Sequence, residues 1–188
     1  MSHRREYEIA FVGLKPGNHL FEYQIKDQFF VPYGAQDFRN CAATVKLNLE
    51  KNNGFMLLKF DVDGQLESSC DRCGDDLPLQ LWDEFKIIVK LVDEPDALND
   101  REEDPDVFYI SRTESHLHVS DWIFEFINLS IPLQKKCKDL PNGTTGCNPS
   151  VLEKLEQMKR DATTDTHATV WKGLDQFKNL GKDANKKD

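Results

Sequence analysis

The sequence predicts an α+β fold: a twisted antiparallel β-sheet, able to curl toward a barrel, with one buried helix, a C-terminal helix and a cysteine knuckle. Three observations lead there. The first two thirds alternate apolar and polar residues between turn-forming clusters, as half-buried strands do. The last third changes to helical spacing. A Cys-x-x-Cys pair, Cys70 and Cys73, lies where the strand pattern is interrupted. With 188 residues, 39 % of them apolar, the chain is long enough for one ordinary core.

In chain order, residues 6–12 read as a short apolar-rich strand. Residues 19–26 alternate, with Leu20, Tyr23 and Ile25 among the apolar positions. The aromatic stretch 29–33, closed by Pro32 and Gly34, predicts a turn or short helix. Residues 44–49 alternate strictly, Val45, Leu47 and Leu49 on one face, Thr44, Lys46 and Asn48 on the other. Lys51-Asn52-Asn53-Gly54 is a hairpin signal, because Asn and Gly tolerate the positive φ of tight turns. Residues 55–62 return, Asp63-Gly64 predicts a second turn, and 65–69 lead into the cysteines. Residues 77–92 are long enough for a bent or broken strand pair, and 107–110 add a short strand. Ser120 or Asp121 is expected to cap a helix that runs to about Leu129 and is ended by Pro132. Its stripe of Trp122, Phe126 and Leu129, widened by Ile123 and Ile127, should pack on the sheet. Asn148 and Pro149 suit the entry to a second helix over 150–160, with Val151, Leu152, Leu155 and Met158 on one side. Residues 1–160 are thus expected to form a single domain, and 161–188 a flexible C-terminal tail carrying Trp171-x-x-Leu174.

Charge narrows the function. Twenty-four Lys plus Arg against 33 Asp plus Glu leave −9, the wrong sign for a protein that binds nucleic acid over its whole surface. The segment 93–106 alone holds eight acids and one Arg. Such a run is ordinarily a solvated loop; the sharper alternative is a decoy for a basic partner. Glu8 interrupts what would be a signal segment, and the run 9–14 is far shorter than the about 20 residues of a membrane span, so a cytoplasmic protein with no membrane partner is expected. Five cysteines, an odd number, point in a reducing compartment to metal or redox chemistry rather than disulfides. The sequon at Asn142 then carries no meaning.

Two thiolates three positions apart on a tight turn, with Gly74 relieving it, suit one metal ion. A thioredoxin-type redox pair would need a helix N-terminus directly afterwards, whereas Gly74-Asp75-Asp76-Leu77-Pro78 follows and its acids disfavour a thiolate. Inert structural cysteines are the third reading. Cys137 and Cys147, with nine residues between them, would complete a four-thiolate zinc site, structural rather than catalytic because no coordination position stays open. Cys41 is left as an inert buried thiol. His116 and His118 would share one side of a strand, but no third ligand is evident, so a surface pair is expected. No G-x-S-x-G, Walker loop, G-x-G-x-x-G or H-E-x-x-H occurs, and no enzyme is predicted. Lys135, Lys136 and Lys138 are the dense basic cluster outside the tail and suit local phosphate contact. Trp171, at helical spacing with Leu174 and Phe177, is either core or a docking anchor.

The order of these features resembles the bacterial YceD family, the large ribosomal RNA subunit accumulation proteins. It comprises the Cys70/Cys73 knuckle, the acidic segment, a buried helix ending in Leu-Ser-Ile-Pro at 129–132, Cys-Asn-Pro at 147–149 and the late Trp171-x-x-Leu174. Bacteroidetes-like members look closest in the helix and the Cys-Asn-Pro stretch. The resemblance implies a non-enzymatic role in large-subunit assembly and rRNA accumulation, with a ribosomal protein or precursor rRNA as partner. It carries over Cys70, Cys73 and Cys147 as metal ligands; Cys137 stands where many relatives have His, and the Pro-Arg usual before Trp171 is missing. The alternatives are a zinc-stabilised interaction module unrelated to ribosomes and a thiol-redox protein.

Overall fold

The computed structural model describes residues 3–141 and 143–164; Asn142, Trp171 and the rest of the expected tail from 165 lie outside the described residues. The chain divides into two compact units, Met1–Cys137 and Lys138–Asp188.

The first unit begins with α1 (His3–Glu6), β1 (Glu8–Ile9) and a 3-10 turn at Phe11–Gly13. β2 (Gly17–Lys26), α2 (Asp27–Phe30) with a further 3-10 turn at Val31–Tyr33, β3 (Phe38–Lys51), β4 (Phe55–Ser69) and β5 (Asp76–Val92) follow. α3 (Pro95–Asn99), β6 (Val107–Ser111), β7 (Leu117–His118) and α4 (Ser120–Leu129) complete it. The large sheet has the order β2-β3-β4-β5-β6, and β1 pairs with β7 in a separate two-stranded sheet.

Period-two alternation places Val45, Leu47 and Leu49 of β3, Met56, Leu58, Phe60 and Val62 of β4, and Leu81, Ile87 and Val89 of β5 in the core. α4 adds Ile123, Phe126 and Ile127. The Phe126 ring stacks on Phe85 with centroids 4.3 Å apart and meets Phe60 edge-on at 5.0 Å. Truncating such a buried ring costs about 3–5 kcal/mol.

Several expectations are corrected. The sheet does not close into a barrel. Residues 93–106 form a crossover that brings β6 alongside β5 in parallel, pairing Ile88 with Val107 through Val92 with Ser111, so β2 and β6 remain separate edges. The crossover is ordered: Asn99 bonds both backbone groups of Tyr109, whose hydroxyl donates to Glu102 at 2.6 Å. Residues 77–92 are one continuous strand, because β4 pairs along almost its entire length. Asp63-Gly64 is no turn. Gly64 sits mid-strand facing Ala43, where a Cβ would fall 2.5 Å from the Ala43 Cα, beside the register shift between Arg39 and Ala42. The first expected strand shrinks to Glu8–Ile9, since the Lys51 ammonium donates to the carbonyls of Phe11 and Leu14, both at 2.8 Å, and supports a 3-10 turn instead. Neither Ser120 nor Asp121 caps α4. Val119 takes that position, and Leu129 turns outward.

In the second unit a short bridged loop pairs Asp139 with Thr145. It leads to α5 (Pro149–Thr164), which continues four residues past the helix end expected at 160. Asn148 Oδ1 accepts the Ser150 N–H at 3.1 Å, the side-chain cap that stops the chain from fraying at this end, with Pro149 pre-set at the first helical position.

Candidate metal centre

The Cys70–Cys73 segment is the turn of the β4–β5 hairpin, whose last pair is Ser69 with Asp76. The Gly74 N–H donates to the Cys70 carbonyl and the Cys70 N–H to the Asp75 carbonyl, both at 2.8 Å. Gly74 has φ +76°, a conformation that a side chain resists. A second segment is tied to this turn by two 2.7 Å bonds: the Asp71 N–H donates to the Lys135 carbonyl, and the Lys135 N–H to the Asp71 carboxylate. Lys135 Nζ also pairs with Asp37 at 2.6 Å, and the Ser68 hydroxyl holds the Asp37 carbonyl at 3.0 Å. This lattice fixes Cys137 beside the turn.

The Cys73 and Cys137 sulfurs are 3.7 Å apart. That is far beyond a disulfide bond, and none of the five cysteines forms one. It agrees with the edge of a tetrahedron of thiolates around a zinc-sized ion, about 3.8 Å for bonds of about 2.3 Å. The Sγ atoms of Cys70, Cys73, Cys137 and Cys147 all lie within 4.8 Å of one another, three buried and Cys137 half-buried. Four close cysteines of this kind can hold a metal ion.

The Cys70 thiol is lowered to about 6. Burial pushes it up, but N–H groups of Cys73, Arg72 and Cys137 and the Cys137 thiol favour the thiolate and outweigh burial. The acids after the turn therefore do not decide its charge, contrary to the sequence expectation. A redox pair's helix does not follow, because β5 starts at Asp76. Cys41 lies apart, and burial first, then Asp27, pushes its thiol up to about 11, which fits an inert core thiol.

The lysines divide. Lys135 is raised by its hydrogen bond to Asp37 and committed to that pair. Lys136, exposed, donates to Gln134 at 3.0 Å, and Lys138 is exposed. His116 and His118 are both exposed. Ser115 and Glu8 are their respective neighbours, and among the described residues only the four cysteines form a group with metal-ligand geometry. No spacing rule singles out Asp37, and Asp71 inside the knuckle is the one tether residue that sequence could have suggested.

Comparison with curated proteins found no match, and neither did comparison with solved structures. The family model described as large ribosomal RNA subunit accumulation protein YceD matches residues 58–178. That span contains the hairpin turn, the acidic crossover, α4 and all four clustered cysteines. With a match over well over half its length, the chain belongs to the YceD family.

Proposed function

We propose that the protein is a non-enzymatic assembly factor for the large ribosomal subunit, acting in the cytoplasm on a ribosomal protein or precursor rRNA. Family membership carries this reading, and the charge distribution supports it. The exposed carboxylates of the 93–106 crossover would hold a basic ribosomal protein. Lys136 and Lys138, with Trp171 as docking anchor, would contact rRNA phosphate or the partner. Lys135 supports the turn through Asp37. Among the described residues no helix is long and apolar enough to cross a membrane.

Zinc is the metal we assign to the four cysteines. Four thiolates fill a tetrahedral site, so the ion would be structural, with Cys70, Cys73, Cys137 and Cys147 as ligands. Sedimentation of the tagged protein from gently lysed cells tests the role. Co-migration with large-subunit precursors, lost at moderate salt, is expected; a peak of protein alone, with normal large-subunit rRNA levels in its absence, refutes it. Thiol-redox chemistry draws on the lowered Cys70 thiol, and is favoured instead if Cys70 in the metal-loaded protein alkylates faster than an ordinary thiol.

A further inference from the structure

A second concave site lies within the first unit. It is a cavity of about 450 Å³ lined by Tyr7, Gln28, Phe29, Tyr33, His118 and Asp121, together with Pro32 and Ser120. Its size falls in the range of pockets that take a ligand or an inserted side chain. Five of these lining residues precede the span matched by the family model, which starts at 58.

Its walls are aromatic and organised. Tyr7 and Phe29 meet edge to face at 5.1 Å, and Phe29 and Tyr33 lie 5.6 Å apart. Phe124 stacks on one face of Tyr33 at 4.1 Å and 7°, fixing the ring. The Tyr33 hydroxyl donates to Asp121 Oδ1 at 2.7 Å, which orients the carboxylate; its other oxygen, Oδ2, takes no hydrogen bond among the described residues. Burial first, then the charge of Glu6, pushes the Tyr7 hydroxyl up to about 12, so that wall stays uncharged well into the alkaline range. No Lys or Arg is among the described lining residues, and Glu8 lies 3.6 Å behind His118.

Electron-rich ring faces beside an oriented carboxylate attract a cation, and a flat one most. A guanidinium can lie on a ring while its fork of donors reaches a carboxylate; an ammonium offers no plane to stack. The N-terminal turn of α4 would favour an anion, but Asp121 already supplies negative charge there. We propose that this cavity recognises an arginine side chain presented by a basic partner protein. The proposal does not rest on the ribosomal reading, because the chemistry selects the side chain whatever protein carries it.

The full-length protein, with labelled aromatic rings, is titrated with N-acetyl-arginine methylamide and with its neutral isostere, N-acetyl-citrulline methylamide. The arginine probe should shift the Tyr7, Phe29 and Tyr33 ring signals saturably, with affinity about five-fold or more above that of the citrulline probe. Asp121→Asn keeps an acceptor for Tyr33 and should lose about the same factor. Equal response to both probes, no saturable shift in these rings, or tighter binding of N-acetyl-glutamate methylamide overturns the proposal. The wild-type comparison of probes decides the matter even if the variant fails to fold.

Discussion

Replacing Gly64 with alanine tests the packing of the sheet that carries the metal-site turn. The new Cβ would lie 2.5 Å from the Ala43 Cα, 2.6 Å from the Ala42 carbonyl oxygen and 2.7 Å from the Ala43 Cβ. Two of those three atoms are backbone, so no side-chain rotation relieves the overlap, and β3 and β4 must separate locally. Overpacking of this kind costs about 1–3 kcal/mol, offset by about 0.5–1 kcal/mol for removing a strand glycine. The contacts are closer than real Cβ atoms make, which places the net loss near about 2 kcal/mol. With a urea m-value of about 1.5–2 kcal/mol/M, the unfolding midpoint should fall by about 1 M, with m unchanged. Adding Ala43→Gly removes the Cβ contact but leaves the two backbone contacts, so rescue should be partial. An unchanged or higher midpoint for Gly64→Ala would refute the close approach, and full rescue by Ala43→Gly would show that the backbone contacts are not the cause.

Four further outcomes are expected. Cys70→Ser or Cys73→Ser should lower the thermal midpoint and release zinc measured by elemental analysis, whereas one zinc per chain retained by the double variant would rule out the site. Chelation of the metal-loaded protein should likewise lower the midpoint, and re-addition of zinc should restore it. The Tyr7 and Tyr23 hydroxyls are both raised to about 12, chiefly by burial. Each binds its proton more tightly folded than unfolded, so stability is complete below about pH 10. It falls between about pH 10 and 12 as each tyrosine loses its proton, a slope that Tyr23→Phe should roughly halve in urea melts. Neutralising the carboxylates of 93–106 should weaken capture of a basic ribosomal protein and flatten its salt dependence; unchanged binding would remove the acidic segment from the proposed function.

Much of the fold was legible because burial follows period. Val45, Leu47 and Leu49 alternate in the sequence and are all fully buried, and the Asn-Asn-Gly hairpin forms with Gly54 at φ +88°. Gly64 was not legible. Asp-Gly marks a turn by local preference, but contact with Ala43, 21 positions away on the neighbouring strand, sets its conformation, and no local rule contains that contact. The parallel pairing of β6 was hidden for a similar reason: its crossover is secured by Asn99 and Glu102 reaching Tyr109. At the candidate site, thiol chemistry singled out the cysteines, but the Asp71 and Asp37 tethers depend on distant residues meeting. The pairing of Lys135 with Asp37, 98 positions away, likewise has no local signal in the sequence.

The pairing of Glu8 with His118 and Ile9 with Leu117 has a kinetic consequence. The β2 to β5 hairpins join neighbours in the chain and close small loops, so they can form early. β1 and β7 instead close a loop of more than a hundred residues, a search whose entropy is repaid by two residue pairs, the Val119 N–H bond to the Tyr7 carbonyl and the burial of Ile9, Leu117 and Val119. That step belongs late in folding. The cavity between Tyr7 and Asp121 depends on that closure, because its lining comes from both ends of the first unit.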